Sequence, residues 1–194
     1  MASKQFVSRG GEKLQSALDQ FKISVKDKVI LDVGSSTGGF VDCLLQNEAK
    51  KVYALDTAYG ELAWKLRNDQ RVVVMERTNI LHLENLPEMA EGPERSRRVD
   101  IITIDAGWTR LELILPVVRK FLKPDGIIVA LLKPHYEAEK KDLIKGVLPA
   151  EKAEEVKNNV IKTISDIQYT TNDCMESPIL GGGGNKEYLL IITV

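Results

Sequence analysis

The chain of 194 residues is poor in the residues that ligate transition metals or build disulfide frameworks. Its two cysteines, Cys43 and Cys174, and two histidines, His82 and His135, lie far apart in sequence. None has the short spacing of a zinc or iron site, so no metal and two reduced thiols are expected. Also missing is any apolar run approaching the ~20 residues of a membrane span, and the N-terminus has no signal-peptide core. A cytoplasmic protein that does not enter a membrane is expected. An excess of charge of one sign is absent too, since 27 Lys and Arg meet 28 Asp and Glu. The net charge of −1 gives no global basic field to advertise nucleic acid, although a local patch suffices. Residues 1–28 hold six Lys and Arg against Glu12, Asp19 and Asp27, a mildly basic face.

What is present begins with DVGSSTGGF, residues 32–40. The apolar run Val29, Ile30, Leu31 precedes it, and Val41, Cys43, Leu44 and Leu45 follow at helical spacing. That order reads as a buried strand, a tight glycine turn and a helix opening toward a ligand. Gly34, Gly38 and Gly39 permit backbone conformations that a Cβ forbids, and the helix start offers free amide donors. A second acid, Asp56, ends the next apolar stretch, where nucleotide-binding βαβ units place the partner of ribose hydroxyls. The glycine spacing is G-x-x-x-G-G rather than G-x-G-x-x-G, and Asp32 beside the turn would repel a pyrophosphate. A dehydrogenase is disfavoured on both counts. S-adenosylmethionine, which has no phosphate and carries an ammonium and a sulfonium, suits the turn better.

Strands recur at 28–33, 51–56, 71–76, 99–105 and 126–132, with helical patterns at 8–21, 61–67 and 111–121 between them. Ser8 is a candidate cap for the first helix. After Pro149 come a charged helix at 151–165 and two more strands, 167–172 and 186–194, while 87–98 reads as an exposed loop. Strands alternating with helices predict an α/β fold with a mostly parallel sheet covered on both faces. Seven strands in this layout match a Rossmann-like methyltransferase domain whose last strand runs antiparallel beside the fifth. No repeat or linker divides the chain, so residues 1–194 are expected to form a single domain.

Ligands of open α/β sheets bind beyond the carboxyl ends of the strands. Asp105 ends the apolar strand of Ile101, Ile102 and Ile104. Lys133 caps Leu131 and Leu132 and is forced into an extended conformation by Pro134. Glu187 starts the antiparallel last strand, which puts it at the same edge. An acid, a lysine and a second acid thus converge on one place.

The strings SRGGEKL (8–14), DVGSSTGGF, YGELAWKLR (59–67), ERTN (76–79), LLKPHYE (131–137) and SPILGGGGNKEYLL (177–190) cover nearly the whole chain. Together they resemble the TlyA ("hemolysin A") group of the FtsJ-like ribose 2′-O-methyltransferases. The resemblance implies methyl transfer from S-adenosylmethionine to a ribose 2′-hydroxyl of RNA, with ribosomal RNA or a ribosomal subunit as partner. It further implies a catalytic tetrad of Lys13, Asp105, Lys133 and Glu187. Lys13 enters by this route alone, since periodicity makes it a solvent-facing helix residue. For the cofactor, Gly34, Ser35 and Gly38 are expected at the methionine part, with Ser36, Gly39 and Phe40 completing the turn. Asp56 is expected at the ribose, Asn79 at the adenine, Asp32 at the amino end through water, and Asp105 at the reacting centre.

Two departures stand out. Family members carry a small RNA-binding domain ahead of SRGGEKL, whereas only Met1 to Gln5 precede Phe6, so that domain is not expected in this chain. The family pattern D-V-S-F-I-S reads DAGWTR at 105–110, which keeps an aromatic as Trp108 but puts Arg110 where a serine is usual. Trp108 is a candidate to stack a target base. A non-catalytic RNA- or partner-binding protein with a retained cofactor pocket is the alternative, and the intact tetrad counts against it. No amphipathic membrane segment supports a haemolysin.

Overall fold

Apolar strands and amphipathic helices join into one seven-stranded sheet in a computed structural model of the protein, which describes residues 6–87 and 98–194. The strands are β1 (Val29–Val33), β2 (Lys51–Leu55), β3 (Val72–Met75), β4 (Val99–Ile104), β5 (Leu122–Leu132), β6 (Thr170–Glu176) and β7 (Tyr188–Thr193). Their order is β3-β2-β1-β4-β5-β7-β6, parallel except for β7, which runs antiparallel between β5 and β6. This is the expected sheet. Strand order reverses between β1 and β4, and the crevice at such a switch point is where open α/β sheets take their ligands.

The helices are α1 (Gly10–Gln20), α2 (Gly39–Gln46), α3 (Trp64–Arg67), α4 (Leu111–Val118), α5 (Pro134–Glu137) and α6 (Ala150–Asp166). Alternation along β4 decides which core each residue joins. Ile102 and Ile104 pack with Leu115 of α4 and Ile164 of α6, while Ile101 faces the side of Leu14 of α1 and Leu44 of α2. The sheet is therefore buried on both faces, as near-continuous apolar strands require.

Several boundaries differ from the sequence reading. Ser8 is not the side-chain cap of α1: Arg9 holds that position, and Ser8 contributes its carbonyl to the Gly11 amide instead. The helix expected over 61–67 shrinks to α3, because Gly60 (φ +80°) turns the chain and the Ala63 amide bonds to the Thr37 carbonyl. Strand β5 starts early, at Leu122, but residues 123–126 bulge between the Val99–Leu122 and Ile101–Ile127 pairings. Strand β6 starts late. Gln168 is left-handed (φ +66°) and the Tyr169 amide reaches back to the Ile164 carbonyl, a helix-stop geometry that delays the strand. The exposed loop expected around 87–98 falls, for residues 88–97, outside the described residues. Among the described residues no helix is long and apolar enough to cross a membrane.

Candidate active site

The turn after β1 is shaped by protein contacts before any ligand contact. Gly34 has φ +87°, and a Cβ there would lie 2.6 Å from the Asp105 carbonyl oxygen at the end of β4. A side chain would thus push apart the two strands that flank the switch point. Gly38 and Gly39 are walled on their Cβ sides by Leu66 and by Ser8, so they seat the turn against α3 and the start of α1. The amides of Gly34 and Ser35 both bond to the Leu55 carbonyl at the end of β2.

Asp56 leaves β2 and reaches back across this turn. Its Oδ2 accepts the Ser36 amide at 2.7 Å and its Oδ1 accepts the Ala58 amide at 2.8 Å. Each oxygen keeps a lone pair for a further donor. Asp56 lines a cavity of about 450 Å³ with Gly34, Ser36, Asn79, Ile80 and Ile114. Asn79 uses its side-chain oxygen to cap a short 3-10 turn at Leu81, which holds the residue at the cavity wall. The carboxylates of Asp56, Glu61 and Asp105 face a single ammonium, Lys133, in this lining.

A larger cavity of about 960 Å³ opens beside it and shares Gly34, Ser36, Asp105, Trp108 and Lys133. Here the four residues of the expected tetrad come together. Lys133 Nζ lies 2.6 Å from Asp105 Oδ1. Lys13, buried in α1, is ion-paired with the buried Glu187 just before β7. Burial pushes the Asp105 carboxyl above the ordinary aspartate range, against the pull of Lys133 and Lys13. Gly181 seals the back of Glu187, because a Cβ at Gly181 would occupy the space of its carboxylate. The loop carrying Gly181 is tied down by Asn185, which accepts the Leu148 amide at 2.9 Å and donates to the Gly146 and Gly182 carbonyls.

The remaining expected residues separate by position. Ser35, Gly39 and Phe40 line the larger cavity, whereas Gly38 and Asp32 line neither. Asp32 is wholly buried beneath the turn, where Thr103 Oγ1 donates to its Oδ1 at 2.5 Å. Its second oxygen has no partner, and burial pushes its pKa up to about 7. Sequence reasoning singled out Trp108 but not its neighbour. The Trp108 ring, 85% exposed at a left-handed residue (φ +67°), lies 4.8 Å from that of Tyr136, which is followed at 4.2 Å by His135. The segment after Lys133, PHYE, was the available signal for Tyr136. Burial, then Lys133 and Lys13, push the His135 imidazole below its ordinary range, which keeps it neutral.

The model of the FtsJ-like methyltransferase family matches residues 6–193. The chain is 46% identical over 188 residues to YqxC of Bacillus subtilis, covering 96% of this chain and 65% of that one. Thus it spans just under two thirds of the length of that relative. It is 38% identical over 192 residues to the Mycobacterium tuberculosis protein named 16S/23S rRNA (cytidine-2′-O)-methyltransferase TlyA, covering 97% and 69%. A crystal structure of a Lactococcus lactis protein with a hemolysin name superimposes with a TM-score of 0.88 at 40% identity, covering 98% of this chain and 89% of that one.

Proposed function

Because the chain belongs to the FtsJ-like methyltransferase family, we propose that it transfers the methyl group of S-adenosylmethionine to a ribose 2′-hydroxyl of ribosomal RNA. The observation that carries this reading is the meeting of the Lys13–Glu187 and Lys133–Asp105 pairs in the larger cavity. The name of the mycobacterial relative supports RNA as the acceptor. That acceptor puts the work in the cytoplasm, and residues 6–193 act as a single methyltransferase domain.

The smaller cavity suits the cofactor. Its acid-rich lining favours a ligand bearing a sulfonium and an ammonium over one bearing a pyrophosphate. The free lone pairs of Asp56 face the ribose hydroxyls, and Asn79 with Ile80 and Ile114 receives the adenine. When bound, the cofactor supplies an electrophilic methyl group on a positively charged sulfur.

The protein's own residues do the rest. A ribose hydroxyl is a poor nucleophile at neutral pH, so a base must take its proton during attack. Lys133 is that base, and Asp105 fixes the direction of its Nζ. Lys13 and Glu187 hold the acceptor side of the pocket in shape, so that the hydroxyl is aligned rather than activated alone. Trp108, backed by Tyr136, stacks the base of the acceptor nucleotide. Lys133→Ala is expected to abolish methyl transfer to RNA while calorimetry finds cofactor affinity nearly intact. Retained turnover would remove Lys133 from the role of base.

A further inference from the structure

The tetrad leaves no cation to spare. Lys13 is paired with Glu187 and Lys133 with Asp105, so the centre of the larger cavity presents neutral pairs to a polyanion. Whatever fixes the acceptor's phosphates must therefore stand at the rim. Arg9, Arg110 and Lys140 line the larger cavity outside the tetrad, and of these Arg110 is the one two residues from Trp108. It occupies the N-cap position of α4 but makes no side-chain cap bond. The capping is done from α5, where Glu137 Oε1 accepts the Leu111 amide at 3.0 Å. The guanidinium, which has only donors, takes no part in that capping.

Among the described residues its ion pair is loose: Nη1 is 3.6 Å from Glu112 Oε1, beyond hydrogen-bond distance, both side chains are well exposed, and Glu137 and Glu139 feel its charge only at longer range. An exposed pair at that distance contributes little and competes weakly for the cation. The backbone around Arg110 is nevertheless held. Glu137 pins Leu111 on one side, and the Trp108 ring rests on Tyr136 on the other. Two residues of extended chain span at most ~7 Å, the scale of one nucleotide, so a base on Trp108 brings its phosphate within reach of Arg110. A planar guanidinium with parallel N–H donors matches the paired oxygens of a phosphodiester, which an ammonium does not.

We propose that Arg110 is a positioning residue that grips the RNA phosphodiester flanking the acceptor nucleotide, with Glu112 as a weak internal competitor. This rests on the RNA methyltransferase reading above.

The test is methyl transfer to ribosomal RNA and ribosomal subunits from Bacillus subtilis cells lacking YqxC, measured across a salt series. Arg110→Gln is expected to raise KM for RNA about ten-fold with kcat at saturating RNA within about two-fold. The slope of log affinity against log salt should fall by about 0.7 to 0.9, the contribution of one phosphate contact. Arg110→Lys should recover the salt slope but only part of the KM. Glu112→Gln should lower KM, whereas a purely structural Arg110–Glu112 pair would make that variant and Arg110→Gln behave alike. Wild-type transfer with KM and salt slope unchanged in Arg110→Gln overturns the proposal alone. Absence of wild-type transfer to any of these RNAs overturns the RNA reading and the proposal with it.

Discussion

The two cavities that join at Asp105 and Lys133 are built in opposite ways. On the side proposed for the cofactor the groups are near in sequence and fixed by backbone. Asp56 is gripped by the Ser36 and Ala58 amides, and the turn hangs from the Leu55 carbonyl of the neighbouring strand. On the acceptor side the groups are remote and fixed by one another. Lys13 and Glu187 are 174 residues apart, and they form an ion pair in a buried place. A backbone-held site loses function gradually when a side chain is changed. A site held by a buried ion pair fails as a unit, because removing one partner strands the other charge.

Lys13→Ala is the strongest way to break the acceptor side. It leaves the Glu187 carboxylate buried and unpaired, which costs ~3–5 kcal/mol of stability. Activity is expected to fall by a factor of ~10³ or more, measured as single-turnover methyl transfer. The double variant Lys13→Met with Glu187→Leu separates the two losses. Replacing a buried pair by apolar side chains of similar volume often restores stability, so urea unfolding should return toward the wild-type midpoint while transfer stays lost. Recovery of transfer in the double variant would show that the pair serves the fold alone.

The same contrast explains what was legible in the sequence. The glycine turn, Asp56 and the strand ends announce themselves because each is a local pattern: an apolar run, then residues that a sharp turn or strand terminus requires. Asp105, Lys133 and Glu187 follow from knowing which edge of the sheet they end on. Lys13 does not, because helical periodicity places it toward solvent and only β7 closing over α1 buries it. It was reached by family resemblance. The orientation of Asp32 is likewise not legible in one dimension. Its position beside the turn is plain in sequence, but the pleat of β1 turns its side chain inward to Thr103, away from both cavities. Gly38 and Gly39 look like ligand-approach glycines in one dimension, yet the close neighbours that require them are Leu66 and Ser8.

Asp32 offers a second way to sharpen the comparison, since it lies under the cofactor turn without touching the cavity. Its folded-state pKa, about 7, stands above the ordinary value near 3.8 because burial penalises the charge. A group raised in this way contributes stability in full below about 3.8 and loses it as pH rises to about 7. Between those limits the wild-type protein should lose up to ~1.4 kcal/mol per pH unit from this group. Asp32→Asn keeps an acceptor for Thr103 and removes the ionisation, so the slope of unfolding free energy against pH should flatten across that window. An unchanged slope would move the titration to another group, with Asp105 the next buried carboxyl beside the turn.

The smallest effect is expected at the residue most firmly held by backbone. Asp56→Ala removes the acceptor of the Ser36 and Ala58 amides, but Ser36 remains in a turn still tied to Leu55 by the Gly34 and Ser35 amides. The cavity should therefore persist, with the ribose hydroxyls losing their carboxylate partner. Hydrogen bonds to a charged acceptor are worth ~1.5–3 kcal/mol, so calorimetry should find S-adenosylmethionine bound about 10- to 100-fold more weakly. At saturating cofactor, transfer should return to near the wild-type rate, because the Lys13–Glu187 and Lys133–Asp105 pairs keep their contacts. Asp56→Asn, which keeps one acceptor oxygen, should fall between the two. If Asp56→Ala instead lost turnover at saturating cofactor, the shared turn residues Gly34 and Ser36 would matter to both cavities. The turn would then be part of the acceptor's alignment and not only the cofactor's seat.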